Sequence, residues 1–313
     1  MLHYTSESLI NEEDAQYIDH FNTLETDGPA CDNLNAKFKS VIFNPFIPYK
    51  FYVPFDDFND PDENLFKTEA EILNNCKYYT ENEFNNYDVS ETNLSLFHLN
   101  LRSLNHKSED LQNFLGTLDK EFSVIAMTET WLNDSHNISS LKIPTYHDPI
   151  YENRSGKKGG GVAFHVKDDL TFTRRYDLEM TAAETLFIEI SLSTGKQLII
   201  GVVYRTEANP VDDFINDLDF TLSKIEKEHK LAWLTGDFNI DLLKHGELAY
   251  VDNFINTLFS NSYYPLISKP TRVTKNTATL IDNIFSNDLQ KVNSGILIPD
   301  ISDHFAIFQP LAI

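Results

Sequence analysis

Cysteine is scarce in this chain of 313 residues, and its two cysteines, Cys31 and Cys76, both lie in the first quarter. Two thiols are too few for a disulfide framework or a thiolate metal site, so a reducing intracellular compartment is expected. No apolar run reaches the ~18 residues that a membrane span needs, and no membrane partner is predicted. The N-terminus also lacks the basic segment and apolar core of a secretory signal.

Basic residues are in the minority as well. The chain has 25 Lys and Arg against 48 Asp and Glu, which gives a net charge of −23. Residues 1–93 alone hold 5 basic and 19 acidic side chains, so more than half of the excess lies in less than a third of the chain. This composition disfavours non-specific nucleic-acid binding. It still permits a local DNA site, because charges more than ~8 Å apart are screened at physiological salt.

The chain is predicted to change character near residue 94. Residues 1–93 combine irregular apolar clusters with acidic runs, which predicts a largely disordered acidic extension that allows short helices near residues 68–79. An aromatic and proline-rich stretch at 41–55 either docks on a partner, packs on the neighbouring domain or stays loose. Residues 94–313 are predicted to form one folded domain.

Apolar patterning in residues 94–313 predicts two sheets covered by helices. Strands are predicted at 94–100, 123–132, 159–166, 184–205 (a pair around Gly195), 231–239, 279–286, 294–300 and 305–313. Helical spacing of apolar residues predicts helices at 109–122, 210–228 and 250–259. Hairpin-like neighbours mixed with crossover helices indicate an α+β sandwich with the helices outside.

Polar side chains recur where these strands end or begin. They are Asn100, Glu129, Tyr204, Arg205, Asp237, Asn239, Asp282, Asp303 and His304. Asp237 and Asn239 are two residues apart, a spacing that places both on one face of a strand. Each residue alone has a structural explanation, such as a helix cap, a core tyrosine or a turn. Their recurrence at the strand ends of one core predicts a shared site.

Several of these residues lie in ordered motifs that resemble a known superfamily. The motifs are "TETWL" (128–132), "KKGGGVAF" (157–164), "GVVYR" (201–205), "GDFN" (236–239), "LIDNIF" (280–285) and "SDH" (302–304). They resemble the endonuclease/exonuclease/phosphatase superfamily, which has the DNase-I-like fold. "NLRSL", "MTETWL" and "GDFNID" are similar in particular to the endonuclease domain of non-LTR (LINE-type) retrotransposons. The resemblance covers residues 94–313 and implies a four-layer α/β/β/α sandwich.

The resemblance implies a metal-dependent phosphodiester site. Glu129 would bind the metal, assisted by Asn100 and Asp303. Oxygen ligands of this kind suit a hard ion such as Mg²⁺ or Mn²⁺. Asp237 would orient and deprotonate the attacking water, and Asn239 would hold that water or the scissile phosphate.

The remaining roles concern the phosphate and the leaving group. His304 would donate to a phosphate oxygen, with Asp282 orienting its ring. Tyr204 would contact the phosphate or the leaving group, and Asn100 completes the catalytic set. Relatives also carry a Thr or Ser upstream of the Asp282 strand, for which Thr271 and Thr274 are both candidates.

Basic side chains near these motifs are the candidates for contacts with DNA. They are Arg102, Arg154, Lys157, Lys158, Arg205 and Arg272. Arg102 stands where repair-type relatives have an acid, which weakens an abasic-site repair role and suits the retrotransposon branch. The glycines of "ENRSGKKGGG" (152–161) would let the backbone approach phosphate, although an ordinary flexible hairpin loop explains them equally well. The loop at 269–275, with Lys269 and Lys275, has the same two explanations.

The function predicted from these features is a Mg²⁺-dependent endonuclease that nicks one strand of double-stranded DNA and leaves a 3′-hydroxyl to prime reverse transcription. One alternative is a phosphatase or phosphodiesterase of the same fold acting on lipid or sugar phosphates, which the basic loops disfavour. Another is a decayed DNA-binding remnant, which the filled catalytic positions disfavour. The short segment after His304 holds no polymerase. We therefore expect either a piece of a longer polyprotein with a reverse transcriptase region or a remnant, nuclear if it acts on chromosomal DNA.

Overall fold

The computed structural model describes residues 76–87, 92–133, 136, 138–154, 156, 159–192, 194–274, 276–288 and 294–312. Its strands are β1 (Lys77–Tyr79), β2 (Thr92–Asn100), β3 (Val124–Thr128), β4 (Ile150–Glu152), β5 (Val162–Val166), β6 (Phe172–Arg174), β7 (Glu184–Ser191), β8 (Gln197–Tyr204), β9 (Leu231–Asp237), β10 (Tyr264–Pro265), β11 (Arg272–Val273), β12 (Ala278–Thr279), β13 (Asp282–Ser286), β14 (Gly295–Leu297) and β15 (Ala306–Ala312). Its α-helices are α1 (Glu81–Asn85), α2 (Leu104–Thr117), α3 (Val211–Lys227) and α4 (Ala249–Ser260). Short 3₁₀ helices lie at Ile138–Leu141, Tyr176–Leu178 and Leu242–Lys244. Within these ranges, no helix combines the length and apolarity required to cross a membrane.

Two large sheets form the centre of the described part of the chain. The first has seven strands in the order β1-β14-β15-β2-β3-β5-β4, and the second has six in the order β10-β13-β9-β8-β7-β6. A parallel pair lies inside each sheet, β2 with β3 and β8 with β9. The carboxyl ends of a parallel pair meet at the same edge of the sheet. Each sheet therefore brings two strand ends together at one place.

Alternation along the strands separates two hydrophobic clusters. In β2, Leu94 and Leu96 belong to the cluster between the sheets, whereas Phe97 and Leu99 pack with residues of α2 on the other face. The six-stranded sheet carries α3 and α4, whose buried apolar faces pack against it. The resulting four-layer α/β/β/α sandwich confirms the predicted fold class.

The predicted strands and helices from residue 94 onward are present, with shifted bounds. The helix predicted at 109–122 is α2, which begins and ends five residues earlier. The strand pair around Gly195 is the antiparallel hairpin of β7 and β8. The sequence patterns missed β4, β6 and β10 to β12, each of which has only two or three residues and therefore shows no periodicity.

Residues before the predicted boundary at residue 93 take part in the fold where the structure describes them. β1 pairs in parallel with β14, and Cys76 and Tyr78 are buried. A capping box between Thr80 and Glu83 starts α1. Residues 77–79 are thus a strand, where short helices had been allowed for. The prediction of disorder for residues 1–75, including the stretch at 41–55, lies outside the described residues.

Gly236 lies where the backbone of β8 leaves no room for a side chain on β9. It pairs with Val203 in the parallel register, and its φ is +152°. A Cβ atom at this position would overlap the Val203 backbone, including the carbonyl group. The glycine of the "GDFN" motif is therefore required by strand packing.

Candidate active site

Asn100 links the two sheets at the strand ends. It is the last residue of β2, and its buried Nδ2 donates to Asp237 Oδ2 at 2.8 Å across the sandwich. The same nitrogen donates to Glu129 Oε1 at 3.0 Å, directly after β3. Ser302 Oγ donates to the Asn100 carbonyl at 2.6 Å and fixes the backbone. One amide thus holds two acidic side chains together, as the strand-end pattern predicted.

Asp237 is buried at the end of β9. Its Oδ1 accepts the backbone N–H of Asn239 at 3.0 Å, and Asn239 has a left-handed backbone with φ +48°. That turn rotates Asn239 out of the strand, and its Nδ2 donates to the Arg205 carbonyl at 2.7 Å. Burial, followed by the charge of Asp282 opposite it in the register, raises the pKa of Asp237 to about 7.

His304 and Asp282 form a buried pair. His304 Nδ1 lies 2.9 Å from Asp282 Oδ2 and 3.1 Å from Oδ1. Burial opposes the charge of His304, but Asp282 outweighs it and raises the pKa of His304 to about 9. Burial likewise opposes the charge of Asp282, and His304 lowers its pKa overall. Of the two candidate threonines it is Thr271 that contacts Asp282, since its Oγ1 donates to Asp282 Oδ2 at 2.7 Å.

Glu129 and Tyr204 complete the group. Glu129 is half-buried with φ +51°, and its Oε2 accepts the indole N–H of Trp131 at 3.1 Å. Tyr204 ends β8 opposite Asp237 and is 8% exposed. Burial, and then the charges of Glu129 and Asp237, raise the pKa of Tyr204. The phenol therefore stays protonated and able to donate.

The donor set fits a hard divalent cation. In the described part of the chain, Asp237, Asp282 and His304 place ligand atoms within 4.8 Å of one another, a group that could hold a metal. Glu129 adds a carboxylate that accepts from the Asn100 amide and from the Trp131 indole N–H. Oxygen-rich donors of this kind suit Mg²⁺ or Mn²⁺. The buried acids also explain the fit, because a cation would offset the cost of ionising them side by side.

Asp303 is engaged differently from the other predicted metal ligands. Its carboxylate accepts from Arg102 Nη1 at 3.0 Å and from Arg272 Nη2 at 2.7 Å. All three side chains are partly exposed. Arg102 and Arg272, both predicted to contact DNA, thus lie together at the rim of the site, with Asp303 between them. The predicted metal role of Asp303 is the one that this geometry favours least.

Arg205 binds the protein backbone, an arrangement that does not favour its predicted contact with DNA. The residue is 3% exposed. Its guanidinium donates to four backbone carbonyl groups, those of Thr206, Asn209, Phe238 and Asn239. These bonds hold the turn that carries Asn239, and they leave the charge buried. Arg205 therefore stabilises the backbone that carries Asn239.

Arg154 also faces inward. Its Nε donates to Glu184, and its guanidinium lies over the Tyr204 ring, 5.6 Å from the centroid. Lys157, Lys158 and Lys275 lie outside the described residues. Lys269 is buried, with its Nζ 5.5 Å from the centre of the Tyr78 ring.

Sequence reasoning did not single out three side chains that shape the site. Trp131 supports Glu129, and Ser302 holds both the Asn100 carbonyl and the backbone N–H of His304. His98 is fully buried two residues before Asn100, with its Nε2 3.2 Å from Thr128 Oγ1. The position of Trp131 inside "TETWL" was the available signal, whereas a histidine in an apolar strand usually indicates ordinary core.

An acidic, oxygen-donor site at the joined ends of two sheets, with a buried His–Asp pair beside it, is typical of metal-assisted hydrolases. A model of the endonuclease/exonuclease/phosphatase family matches residues 93–304, and the chain belongs to this family. Members of the family are hydrolytic nucleases or phosphatases, and its nucleases are generally dependent on divalent metal ions. No curated protein matches the sequence.

Solved structures share the fold at low sequence identity. The endonuclease domain of TRAS1, a telomere-specific non-LTR retrotransposon, superimposes with a TM-score of 0.56 at 15% identity over 70% of this chain and 97% of that one. The AP endonuclease LMAP from Leishmania major gives 0.60 at 14% identity over 78% and 95%. The 3′ phosphatase NExo from Neisseria, bound to a product DNA hairpin, gives 0.52 at 16% identity over 69% and 98%.

Proposed function

We propose that this chain is a divalent-metal-dependent DNA endonuclease that nicks one strand and leaves a 3′-hydroxyl, as in target-site cleavage by a non-LTR retrotransposon. The observation that carries the proposal is the meeting of Asn100, Glu129 and Asp237 beside the Asp282–His304 pair. This arrangement offers a base for water, a cationic donor for phosphate and oxygen ligands for a metal in one place. The motifs "MTETWL" and "GDFNID" add the resemblance to the retrotransposon branch.

Asp237 is the proton acceptor for the attacking water. A base works best when its pKa is near the working pH, and the pKa of Asp237 is raised to about 7. Asn100 Nδ2 and the Asn239 N–H each bind one of its oxygens, so the carboxylate is held in one orientation. Asn239 is half-buried next to it, and its proposed role is to hold the water or the phosphate.

His304 and Tyr204 serve the phosphate. Because its pKa is raised to about 9, His304 carries a positive charge at neutral pH and can donate to a phosphate oxygen. Asp282 binds Nδ1 and leaves Nε2 for the substrate. The protonated Tyr204 hydroxyl can donate to the phosphate or the leaving oxygen. A divalent cation, which Glu129 and Asn100 would hold with the neighbouring carboxylates, would neutralise charge on the phosphate.

DNA is favoured over a smaller phosphate ester by the rim of the site. Arg102 and Arg272 place two guanidinium groups at one edge, partly exposed and paired with Asp303. Guanidinium groups bind phosphate through parallel hydrogen bonds, and a second phosphate of a nucleic-acid strand would satisfy them. The family also includes phosphatases, so lipid and sugar phosphates are the alternative substrates to be tested.

Nicking of supercoiled plasmid tests the proposal. The full chain is incubated with plasmid and Mg²⁺, with EDTA and His304→Gln as the two controls. We expect conversion to the open circular form, and extension of the nick by a DNA polymerase without prior phosphatase treatment, which reports a 3′-hydroxyl. Release of inorganic phosphate from a lipid or sugar phosphate, with intact plasmid, would instead indicate a phosphatase.

A further inference from the structure

Arg154 is enclosed between elements of both sheets. It follows β4 of the first sheet, and its guanidinium carbon lies 5.6 Å from the ring centroid of Tyr204 at the end of β8. Gly160 covers the guanidinium on another side, where an added Cβ would overlap its nitrogen and carbon atoms. Gly160 has φ +69° and is buried. A side chain at residue 160 would therefore displace Arg154 from the tyrosine ring.

Glu184 fixes this position. It is the direct cross-strand neighbour of Tyr204 in the β7–β8 hairpin. Its Oε1 accepts from Arg154 Nε, and its Oε2 accepts the backbone N–H of Gly161. The two side chains of the ion pair are 22% and 19% exposed, so solvent screens the pair only in part. One carboxylate of β7 thus ties the glycine-rich segment and Arg154 to the β7–β8 hairpin that carries Tyr204.

These contacts give Arg154 little freedom to reach DNA. Its Nε is engaged by Glu184, and its Nη2 is buried without a hydrogen-bond partner in the described part of the chain. The guanidinium lies over the ring of the Tyr204 phenol. That phenol lies close to the carboxylates of Glu129 and Asp237, whose charges raise its pKa after burial does, and Arg154 acts against them.

We infer that Arg154, set by Glu184 and enclosed by Gly160, is a positioning residue that holds the Tyr204 side chain for its contact with the substrate phosphate. Gly160 thus serves the packing of Arg154. The inference rests on the proposed phosphodiester chemistry for the role of Tyr204. The contact itself does not depend on the identity of the substrate.

The test compares two substrates. Arg154→Ala, Arg154→Lys, Glu184→Gln and Tyr204→Phe are assayed on supercoiled plasmid and on bis(4-nitrophenyl) phosphate, which offers no DNA backbone to contact. Loss of a donor to the reacting phosphate typically costs ~10²-fold in kcat, which is the loss expected for Tyr204→Phe. We expect Arg154→Ala to lower kcat by ~10-fold on both substrates with KM nearly unchanged, and to cost little more in the Tyr204→Phe background.

The matched control is Arg174→Ala. Arg174 lies over the Tyr176 ring, 4.4 Å from the centroid, and pairs with Glu179 and Glu152, so it loses the same kinds of contact without touching the site. We expect this variant to keep full activity on both substrates. Arg154→Lys preserves the charge and guards against a folding defect in the alanine variant, and it should retain intermediate activity.

A different pattern would overturn the inference. If Arg154 contacted DNA, its variants would lose plasmid nicking through KM, reduce the salt dependence of binding and keep full activity on the small diester. A melting-temperature cycle over Arg154→Ala and Tyr204→Leu, which removes the ring, needs no substrate. We expect the loss in the double variant to be smaller than the sum of the two single losses. Additive losses would overturn the inference even if the wild-type protein cleaves no DNA, which separates it from the proposed function.

Discussion

His304 Nδ1 lies 2.9 Å from Asp282 Oδ2, and Asp282 is itself bound by the hydroxyl of Thr271. A backbone bond links the neighbouring segments as well, since the N–H of Phe305, the residue after His304, donates to the Thr271 carbonyl at 2.7 Å. The segment that carries His304 is therefore tied to the residue before β11 and, through Asp282, to β13. An imidazole in this setting has one defined orientation and a defined charge.

Replacing Asp282 by Asn should remove the partner that keeps His304 charged. The pKa of His304 would then fall, because burial disfavours the imidazolium once the carboxylate is gone. We expect nicking at pH 7.5 to fall by ~10² and the alkaline limit of the pH–rate profile to move to lower pH. Thr271→Val, which removes only the hydroxyl, is the control and should cause a smaller loss. An unchanged alkaline limit in Asp282→Asn would contradict the proposed pairing.

Replacing Asp237 by Asn should remove the general base. We expect nicking to fall by ~10²–10⁴ while folding stays near normal, because the amide keeps the shape and removes a buried charge. Rates are measured on supercoiled plasmid and folding by melting temperature. Asp219→Asn, which alters an acid on α3 that accepts from Asn261, controls for the loss of one negative charge. Full activity in Asp237→Asn would exclude Asp237 from the mechanism.

Glu129→Ala should weaken metal binding. We expect a higher Mg²⁺ concentration for half-maximal nicking and a smaller rise of the melting temperature on adding Mg²⁺. The reason is that Mg²⁺ stabilises the folded state only to the extent that it binds to it. Without metal, the loss of stability should be small, since one of several crowded acids is removed. Glu121→Ala, at an acid that pairs with Lys167, is the control. An unchanged metal titration with a large loss of stability would mean that Glu129 is a structural residue.

Stability without divalent cations should fall at alkaline pH. The pKa of His304 is raised from 6.5 to about 9 in the folded protein, so the folded state binds the extra proton. Its contribution is fully present below pH 6.5 and is lost as the pH rises through about 9. Asp237 acts in the same direction at lower pH, since its pKa is raised from 3.8 to about 7 and ionisation there disfavours the fold.

The measurement is the melting temperature from pH 6 to 10 in the presence of a chelator, for wild type and His304→Gln. We expect the wild-type advantage to shrink across this range, because only wild type carries the titrating imidazole. A difference that stays constant with pH would show that His304 contributes through packing alone.

The N-terminal boundary of the fold can be tested by truncation. A chain that starts at Cys76 keeps β1 and α1, whereas one that starts at residue 88 loses both. The second truncation exposes the β14 edge and removes Tyr79 and Phe84 from contact with Phe308. We therefore expect normal melting and nicking for the first and a clearly lower melting temperature for the second. Equal stability of the two would return the boundary to residue 93.

The strand ends of the site were predictable because they follow from periodicity. Asn100, Tyr204 and Asp237 end strands whose buried runs are visible in the sequence, and Glu129 directly follows such a strand. Parallel neighbours bring these strand ends together. The structure confirms that these residues meet, and their chemical roles remain predictions. Asp282 was recognisable as an acid inside an apolar run, which must be paired if it is buried charged.

The direction of the arginines was not predictable. Arg205 and Arg154 both lie in or close to the sequence motifs of the site. Arg205 nevertheless binds four backbone carbonyl groups, and Arg154 lies over a tyrosine ring. A sequence gives the charge of a guanidinium but not the partner that its side chain reaches. The secondary structure of the segment Cys76–Asn85 was not predicted for another reason. A three-residue strand and a five-residue helix are too short to show a periodic pattern of apolar residues.

Gly236 shows how a saturation mutagenesis screen of this chain should be read. Every substitution at Gly236 would push a side chain into the backbone of β8. A screen for nicking would therefore find that substitutions at Gly236 are tolerated as poorly as those at Asp237. The two intolerances have different origins, one steric and one chemical. Measuring soluble yield together with activity would distinguish the two origins. Gly236 variants should lose both soluble yield and activity, whereas Asp237 variants should lose activity alone. The intolerance of Gly236 in such a library would then reflect how closely β8 and β9 lie together.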